Sequence, residues 1–590
     1  MLAHETLLKL RVCFDARNHR PSVDQWAALA DLANTFEALA NSTAAPRFYL
    51  SSLDPGVGKS QTLIKFVDVL LSSVAHTHVG VLFCVSRLTE VERMVDDMCI
   101  PKDMLCVVTS DQRLNALSGA TADSARVVIT TQQMLERRVI NGTFNAFTFQ
   151  GEPRAVRVWD EAWLPGHPVT LSVDDMAFVL RRLSYLSAEL RSDVLSIFND
   201  VEKLATGATY SVPDFADKHA TINLNDALGT TAGGGSDADA TKFRDDERAA
   251  ISSLWYVSGK TVTIRRDGRF GNAVLDFKQT LPNDLAPMVI LDASGRVRQT
   301  YVDLEANGGL VRLLSAPKRY DPLTVHVWRT GGGKSAFTDN GAKLTAGIAK
   351  TIDTRPTEKW LVVGHRPNSR VGNIEKAVRD LLCVTDQANV SFINWGSHSA
   401  TNVYADVPNV ILAGTLFYRG SYYEGLKRLA SDRPAEAGAV TDAEMKATEL
   451  GEHAHLILQA LCRGSVRKSD DDKCQPARAW VIASVRSGIP SALPGIFPGC
   501  RVLRWSPIPT TLKGHAKTTQ EYVERWTKGA KAGDVLPFKL IQRDVGVDRW
   551  TFQKNVRPSA PLGDALAELG VVEWGKARYC TGYRLVETKV

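Results

Sequence analysis

Arg47–Asp54 (RFYLSSLD) is a short apolar run of strand length. It leads into Pro55-Gly56-Val57-Gly58-Lys59-Ser60, and then into QTLIKFVDVLL, which has helical length and character. Strand, glycine loop, helix is the order that binds phosphate, and it constrains the fold more than any other feature of the chain. It calls for a parallel strand that delivers a helix N-terminus to the edge of a sheet, where backbone N–H groups face an anion. Glycine is needed because a Cβ would obstruct the turn that aligns successive N–H groups. In such a loop Lys59 neutralises the terminal phosphates, and the Ser60 hydroxyl sits on Mg2+. The pattern G-x-x-x-x-G-K-[S/T] departs at its first glycine, where this chain has Leu53.

A rival loop lies downstream. Thr330-Gly331-Gly332-Gly333-Lys334-Ser335 also follows a strand-like run (LTVHVW) and also lacks the distant glycine. The larger order separates the two, because the first loop is followed about 100 residues later by an acidic strand end and the second is not. Gly56, Gly58, Lys59 and Ser60 are therefore the expected nucleotide-binding residues. The second loop reads as a tight turn opening the second half, with a phosphate contact left open.

From the first loop to residue 160, strand-length runs (VGVLFCVS, MLCVVTS, ARVVITT, AVRVWDEA) alternate with helical segments (LTEVERMVDDM, QQMLERR). That alternation predicts a parallel sheet covered on both faces. Residues 164–285 break the rhythm with a helical stretch and LGTTAGGGSDADATKF, which has the composition of a flexible linker. They read as a mostly helical insertion. Strand-like runs resume at PMVILDASG, LTVHVW, KWLVVGHRP, VSFINWGS, NVILAG and ARAWVIAS, giving a second α/β half. With 590 residues the chain exceeds what one hydrophobic core serves, roughly 250–300 residues. The expected division is a helical leader over 1–45, a first domain over 46–315 carrying the insertion, a second over 316–505, and a terminal module over 506–590.

Val156–Trp163 (VRVWDEAW) is a strand ending in two carboxylates. Hydrolysis of a nucleoside triphosphate needs one acid for the metal and its water shell, and another to orient or deprotonate the attacking water. Asp160 suits the first role, so Ser60 and Asp160 are the expected magnesium ligands, and Glu161 suits the second. Gln459-Ala460-Leu461-Cys462-Arg463-Gly464-Ser465-Val466-Arg467 places a glutamine ahead of arginines at i+4 and i+8, near one helical face. Guanidiniums of Arg463 and Arg467 there could reach across a cleft to a γ-phosphate.

In this order and separation the three signals resemble superfamily 2 helicases, the DEAD/DEAH-like nucleic-acid-dependent ATPases, particularly those of phages and mobile elements. DPGVGKS resembles motif I, DEAW motif II, and QALCRGSVR motif VI. CVSRLTEVERM, VVITTQQML, LDASG, LVVGHRPN and WGSHSATNVYADVPNVILAG stand where the intermediate motifs belong. The resemblance spans roughly residues 46–505 and departs at Leu53, at DEAW and at the D-A-S of LDASG. It implies two RecA-like domains with ATP and Mg2+ in the cleft between them. Lys59, Ser60, Asp160 and Glu161 would come from the first, and Gln459, Arg463 and Arg467 from the second. It also implies a nucleic-acid strand gripped by Ser86, Arg87, Thr130 and Thr131 from the first domain and by Thr401 and Asn402 from the second.

Net charge is only +6. The last 90 residues hold sixteen Lys/Arg against nine Asp/Glu, so they carry the whole excess. Their pattern, short helices followed by VVEW-GKARYCTG-YRLV, resembles a winged helix with Arg549, Lys554, Lys576 and Arg578 facing nucleic acid. Trp550, Phe552 and Trp574 read as the core of that module. Nine cysteines without a C-x-x-C pair predict neither an iron–sulfur cluster nor a structural zinc, and fit a reducing cytoplasm, in a bacterial cell or a phage-infected host. The first twenty residues lack the pattern of a secretory signal, and no run of about 18 apolar residues predicts a membrane span. The leading reading is an ATP-dependent helicase or translocase acting on nucleic acid, DNA ahead of RNA. The reading from another class is an ATP-switched DNA-binding regulator or replication initiator without processive unwinding. A third, a subunit recruited to a nuclease or defence complex, differs in its protein partner, which would meet the insertion or the terminal module.

Overall fold

The strand-length apolar runs assemble into two parallel sheets. The structure, a computed structural model, describes residues 1–140, 147–183, 187–222, 238–368, 371–396, 403–508, 512–576 and 579–586. In the first domain the strands are β1 (Phe48–Ser51), β2 (Val81–Val85), β3 (Leu105–Val108), β4 (Val127–Thr131), β5 (Val156–Asp160), β6 (Met288–Leu291) and β7 (Leu310–Arg312), in the order β7-β1-β6-β5-β2-β4-β3. Every neighbouring pair is parallel, with Leu50 opposite Ile290 and Ile290 opposite Trp159. β2, β4 and β5 are buried along their whole length, as strands covered by helices on both faces must be.

In the second domain the strands are β8 (Leu323–Trp328), β9 (Trp360–Gly364), β10 (Val390–Asn394), β11 (Asn409–Ala413), β12 (Ala477–Ile482) and β13 (Arg501–Arg504). Their order is β13-β8-β12-β11-β9-β10, again all parallel. The second order matches the first over six positions, with β8 standing where β1 does, β12 where β6 does and β11 where β5 does, and β3 has no counterpart. The chain is thus an α/β fold of two RecA-like sheets.

Two helices precede β1. Within the helical leader expected over 1–45, α2 (Val23–Ala40) is opened by a capping box between Ser22 and Gln25. It buries Leu29, Leu32, Phe36 and Leu39, and Phe36 meets Phe66 at 5.2 Å between ring centroids. An earlier helix of the same leader is α1 (Leu2–Asp15). It packs along α3 (Lys59–Ser72), the helix that follows the phosphate loop, where Lys9 pairs with Asp68 at 3.0 Å.

The insertion carries helices at Val173–Leu183 and Ala188–Lys203, where a helical stretch was expected, and a third at Ala238–Val257 that begins inside the segment read as a flexible linker. It also holds a four-stranded antiparallel sheet of Gly166–Ser172, Asn272–Gln279, Thr261–Arg266 and Thr209–Ser211, which the helical reading missed. Buried Val169, Leu171, Val262, Ile264 and Val274 pack it onto those helices. The insertion leans on the second domain's helix Gly420–Ala430 through Arg265–Glu424 (2.9 Å) and Arg419–Asp175 (2.6 Å). The terminal module has helices Gly514–Thr527, Phe538–Val545 and Ala560–Glu568 beside a three-stranded antiparallel sheet of Val535–Pro537, Tyr579–Leu585 and Val571–Lys576. Phe552 is fully buried there, but Trp550 is 63% and Trp574 45% exposed, which corrects the expectation that all three form its core. Among the described residues no helix is long and apolar enough to cross a membrane.

Candidate functional site

The phosphate loop turns between β1 and α3 at the carboxyl edge of the first sheet. Gly56 and Gly58 have φ of +86° and +130°, the left-handed region that favours glycine. Each is also closely packed. A Cβ on Gly56 would collide with the Arg467 carbonyl oxygen, and one on Gly58 would lie 2.5 Å from the Phe14 ring of α1. Lys59 donates to the carbonyls of Leu53 and, at 3.4 Å, Asp54. Burial pushes its ammonium down to about 8, against the pull of Asp54, Asp292 and Asp160. Leu53, which replaces the motif's first glycine, is fully buried against Phe14 and Val57 beneath the loop.

β5 ends beside this loop. Asp160 is buried, and its carboxyl is pushed up first by desolvation and then by Glu90 and Glu161. Glu161 has φ +76°, a conformation that costs a non-glycine residue on the order of 1–3 kcal/mol and collects at functional sites. Its N–H donates to the Leu291 carbonyl of β6 at 3.1 Å, holding the turn.

The second domain supplies the opposite wall, from the amino edge of its sheet. The helix Asp442–Leu461 ends before Arg463, so the one-helix-face argument holds for Gln459 alone. Arg463 and Arg467 instead lie in the turn and the 3-10 segment Ser465–Arg467 that follow, and that turn aims them into the cleft. Arg463 Nη2 reaches Gln459 Oε1 at 3.0 Å and Glu161 Oε1 at 3.3 Å. Arg467 is held below its usual pKa by burial and by the like charges of Arg463 and Arg93. Loop, acids and arginines together enclose a cavity of about 270 Å³.

Several groups at the cleft were missed. Arg17 from α1 lines it, and Phe14, Arg17 and His19 continue into an adjoining cavity shared with Lys468 and Gln475. Glu90, 4% exposed, accepts from Ser86 Oγ at 2.9 Å and lies 3.7 Å from Arg93. Behind β6, buried Asp292 accepts from Ser294 Oγ at 2.8 and 2.7 Å and from Tyr301 OH at 2.8 Å. Tyr301 in turn accepts from the Trp163 N–H, and His455 Nδ1 meets Ser294 Oγ at 2.7 Å. This chain ties the acidic strand end and the D-A-S segment to the second domain's helix. His455 stands four residues before Gln459, a spacing visible in the sequence.

Of the residues expected to grip a strand, Ser86, Arg87 and Thr131 share a cavity of about 650 Å³ that reaches Glu161 and includes Gln132 and Gln133. Arg87 crosses to the carbonyl of Gly396, just beyond β10. Thr130 is a correction. Its side chain is fully buried and donates to the Val108 carbonyl at 2.6 Å, because it points off the face of β4 opposite to Thr131. Thr401, Asn402 and Arg578 lie outside the described residues, as does the side chain of Lys576. Arg549 and Lys554 are exposed on the terminal module, with Lys554 Nζ 5.6 Å from the Trp550 ring centroid.

The donor set fits a magnesium-bound triphosphate. Hard oxygens of Ser60 and Asp160 suit the cation, and Lys59 and the loop N–H groups suit the phosphates. No protein-family model matches the chain, and no curated protein matches it. Among solved structures it is similar to XPD in its apo form, at 14% identity and a TM-score of 0.46, over 80% of this chain and 99% of that one. It is also similar to S. cerevisiae Dbp5 bound to RNA and ADP BeF3, at 8% and 0.36, over 83% and 95%. A third is the Mycobacterium smegmatis helicase Lhr bound to ssDNA and AMP-PNP, at 12% and 0.35, over 99% and 60%.

Proposed function

We propose that the protein is an ATP- and Mg2+-dependent nucleic-acid helicase or translocase, with DNA ahead of RNA as its track. One observation carries the reading: a phosphate loop and two carboxylates from one RecA-like sheet face two arginines from the other across a single cavity. A cleft assembled from both domains gives ATP a different fit when the domains close than when they part, which a motor requires.

Lys59 and the loop N–H groups hold the phosphates, and Ser60 and Asp160 hold the cation, which when bound offsets charge on the phosphate oxygens. Glu161 takes a proton from the attacking water as the water oxygen bonds to the γ-phosphorus. The bond from that phosphorus to the bridging oxygen breaks, and ADP leaves with the electron pair. Arg463 and Arg467 stabilise the charge on the transferring group, and Gln459 keeps Arg463 aimed. Phe14, Arg17, His19, Lys468 and Gln475 bound the space for the base.

Ser86, Arg87 and Thr131 hold one strand at the first domain's carboxyl edge. The terminal module is read as a winged helix whose Arg549 and Lys554 contact phosphates while Trp550 offers a stacking face. The test is strand displacement on a forked DNA, together with streptavidin displacement from a single strand for translocation without unwinding. ATP-dependent product in either assay, absent for Lys59→Ala, is the expected result. Tight ATP and DNA binding with no displacement in both would favour the ATP-switched regulator.

A further inference from the structure

Lys318 stands where the chain crosses from the first domain to the second, in the linker between β7 and β8. Upstream of it the linker is tied to the first sheet. The Leu313 N–H donates to the Leu50 carbonyl of β1 at 2.9 Å, and Ser315 Oγ donates to the Ser52 carbonyl at 3.3 Å. Downstream it is tied to the second domain. The Arg319 N–H donates to the Asp472 carbonyl at 3.0 Å, and the Arg319 carbonyl accepts from the Cys474 N–H at 2.9 Å. Both partners belong to the small hairpin that follows Arg467.

Lys318 itself is divided between the two. Its N–H donates to Asp54 Oδ2 in the phosphate loop at 2.8 Å. Its ammonium donates to the Arg467 carbonyl at 2.7 Å and the Val466 carbonyl at 3.3 Å. Asp54 is fully buried, and Arg296 Nε holds its other oxygen at 2.9 Å, so the first-domain end is fixed. Since Lys318 grips one domain by its N–H and the other by its ammonium, parting the domains has to break one grip.

The residue is 1% exposed. Burial pulls its ammonium below the usual lysine pKa, against Cys462 and Asp54. A methionine would fill the same space without desolvating a charge. What the ammonium adds is direction, because it draws two successive carbonyls of the arginine-bearing turn toward the phosphate loop. The Arg467 carbonyl oxygen lies where a Cβ of Gly56 would be, and that Cβ position is 3.4 Å from Lys318 Nζ. Gly56, Lys318 and the Arg467 carbonyl thus form one contact beside the cavity that Arg467 lines. Gln459 aims Arg463 through its side chain; the hold on Arg467 is through its backbone.

We infer that Lys318 is a positioning residue for Arg467: its ammonium seats the Ser465–Arg467 turn on the phosphate loop, and Arg467 reaches the γ-phosphate only while that seat holds. This rests on the ATPase reading above and adds the linker to the hydrolytic site.

The test is ATP turnover by the full chain over a range of ATP concentrations, with saturating single-stranded oligothymidylate. Binding of fluorescent ADP is measured in parallel, alone and with aluminium fluoride, which stands in for the transferring phosphoryl group. Lys318→Met lowers kcat roughly ten- to a hundredfold, the scale of a group misplaced by about 1 Å, and leaves KM nearly unchanged. It weakens binding of ADP with aluminium fluoride and leaves that of ADP alone as it was. Arg467→Ala loses more, and adding Lys318→Met to it loses nothing further, because the seat then has nothing to aim. Lys318→Gln, shorter and uncharged, gives the same pattern and serves if the methionine variant does not fold. A kcat equal to that of the intact chain in both Lys318 variants would overturn the inference and leave the motor reading standing. So would a loss that adds in full to that of Arg467→Ala, or one that weakens ADP alone as much as ADP with aluminium fluoride, since a merely structural lysine gives either. No ATP turnover by the intact chain would overturn both.

Discussion

Arg463 Nη2 of the second domain stands 3.3 Å from Glu161 Oε1 of the first, so the arginine aimed at the cleft is held by the carboxylate that would activate water. Each group holds the other pointed into the cleft, and the pair must part for either to act. Removing Arg463 takes the facing cation away from the mostly buried Glu161 carboxylate. Arg463→Ala therefore lowers nucleic-acid-stimulated ATP turnover on the order of a thousandfold. Arg463→Lys does not restore it, because a lysine has no planar fork to span Gln459 and a phosphate. Single-turnover kinetics with saturating ATP separate this loss from any loss of binding.

Gly58 is constrained twice, by φ +130° and by the Phe14 ring. Gly58→Ala costs about 1–2 kcal/mol from the backbone conformation alone. It also displaces Phe14, so nucleotide binding falls steeply. Adding Phe14→Ala removes the steric conflict but not the backbone cost, and affinity recovers only in part. Urea unfolding and binding of a fluorescent ATP analogue, measured on the single and double variants, check both halves.

Ser294 joins Asp292 to His455 between the two domains. Ser294→Ala leaves buried Asp292 short of a donor and His455 short of a partner, a loss of about 1–3 kcal/mol in urea unfolding. Ser294→Thr keeps the hydroxyl and most of the stability. Because the bond to His455 crosses the domain boundary, the alanine variant also shows a weaker dependence of ATP turnover on nucleic acid.

The raised pKa of Asp160 gives a pH dependence with a definite sign. A carboxyl whose folded pKa lies above its unfolded value favours the folded state while protonated. That contribution is complete below the ordinary aspartate range, near 3.9, and is lost as pH rises through the folded value, pushed up to about 8. Asp160→Asn carries no such titration. Without nucleotide or Mg2+, the melting temperature of Asp160→Asn minus that of the intact chain rises steadily between pH 5 and 8. A flat difference over that range contradicts the assignment.

Much of this architecture was legible because its signals are local. DPGVGKS, VRVWDEAW and the strand-length runs each sit within a few consecutive residues, and a parallel sheet buried on both faces writes itself as continuous apolar runs. What was hidden depends on residues far apart in the chain. α1 gives no sign in its sequence that Phe14 will cover Gly58. The antiparallel sheet of the insertion joins strands separated by many residues, and their alternation is masked by the helical stretch between them. Thr130 and Thr131 are adjacent in sequence but point to opposite faces of β4, so one is sealed in the packed face and the other lines the cavity. Trp550 and Trp574 looked like core because large aromatics usually are, and only the fold turns them outward.

Steady-state ATP turnover with and without single-stranded and forked DNA, on the intact chain, Lys59→Ala and Glu161→Gln, tests the central claim most directly. The account predicts strong stimulation by DNA in the intact chain, lost in both variants, with Glu161→Gln still binding ATP. Turnover that no nucleic acid stimulates, in a chain that binds ATP normally, would contradict it.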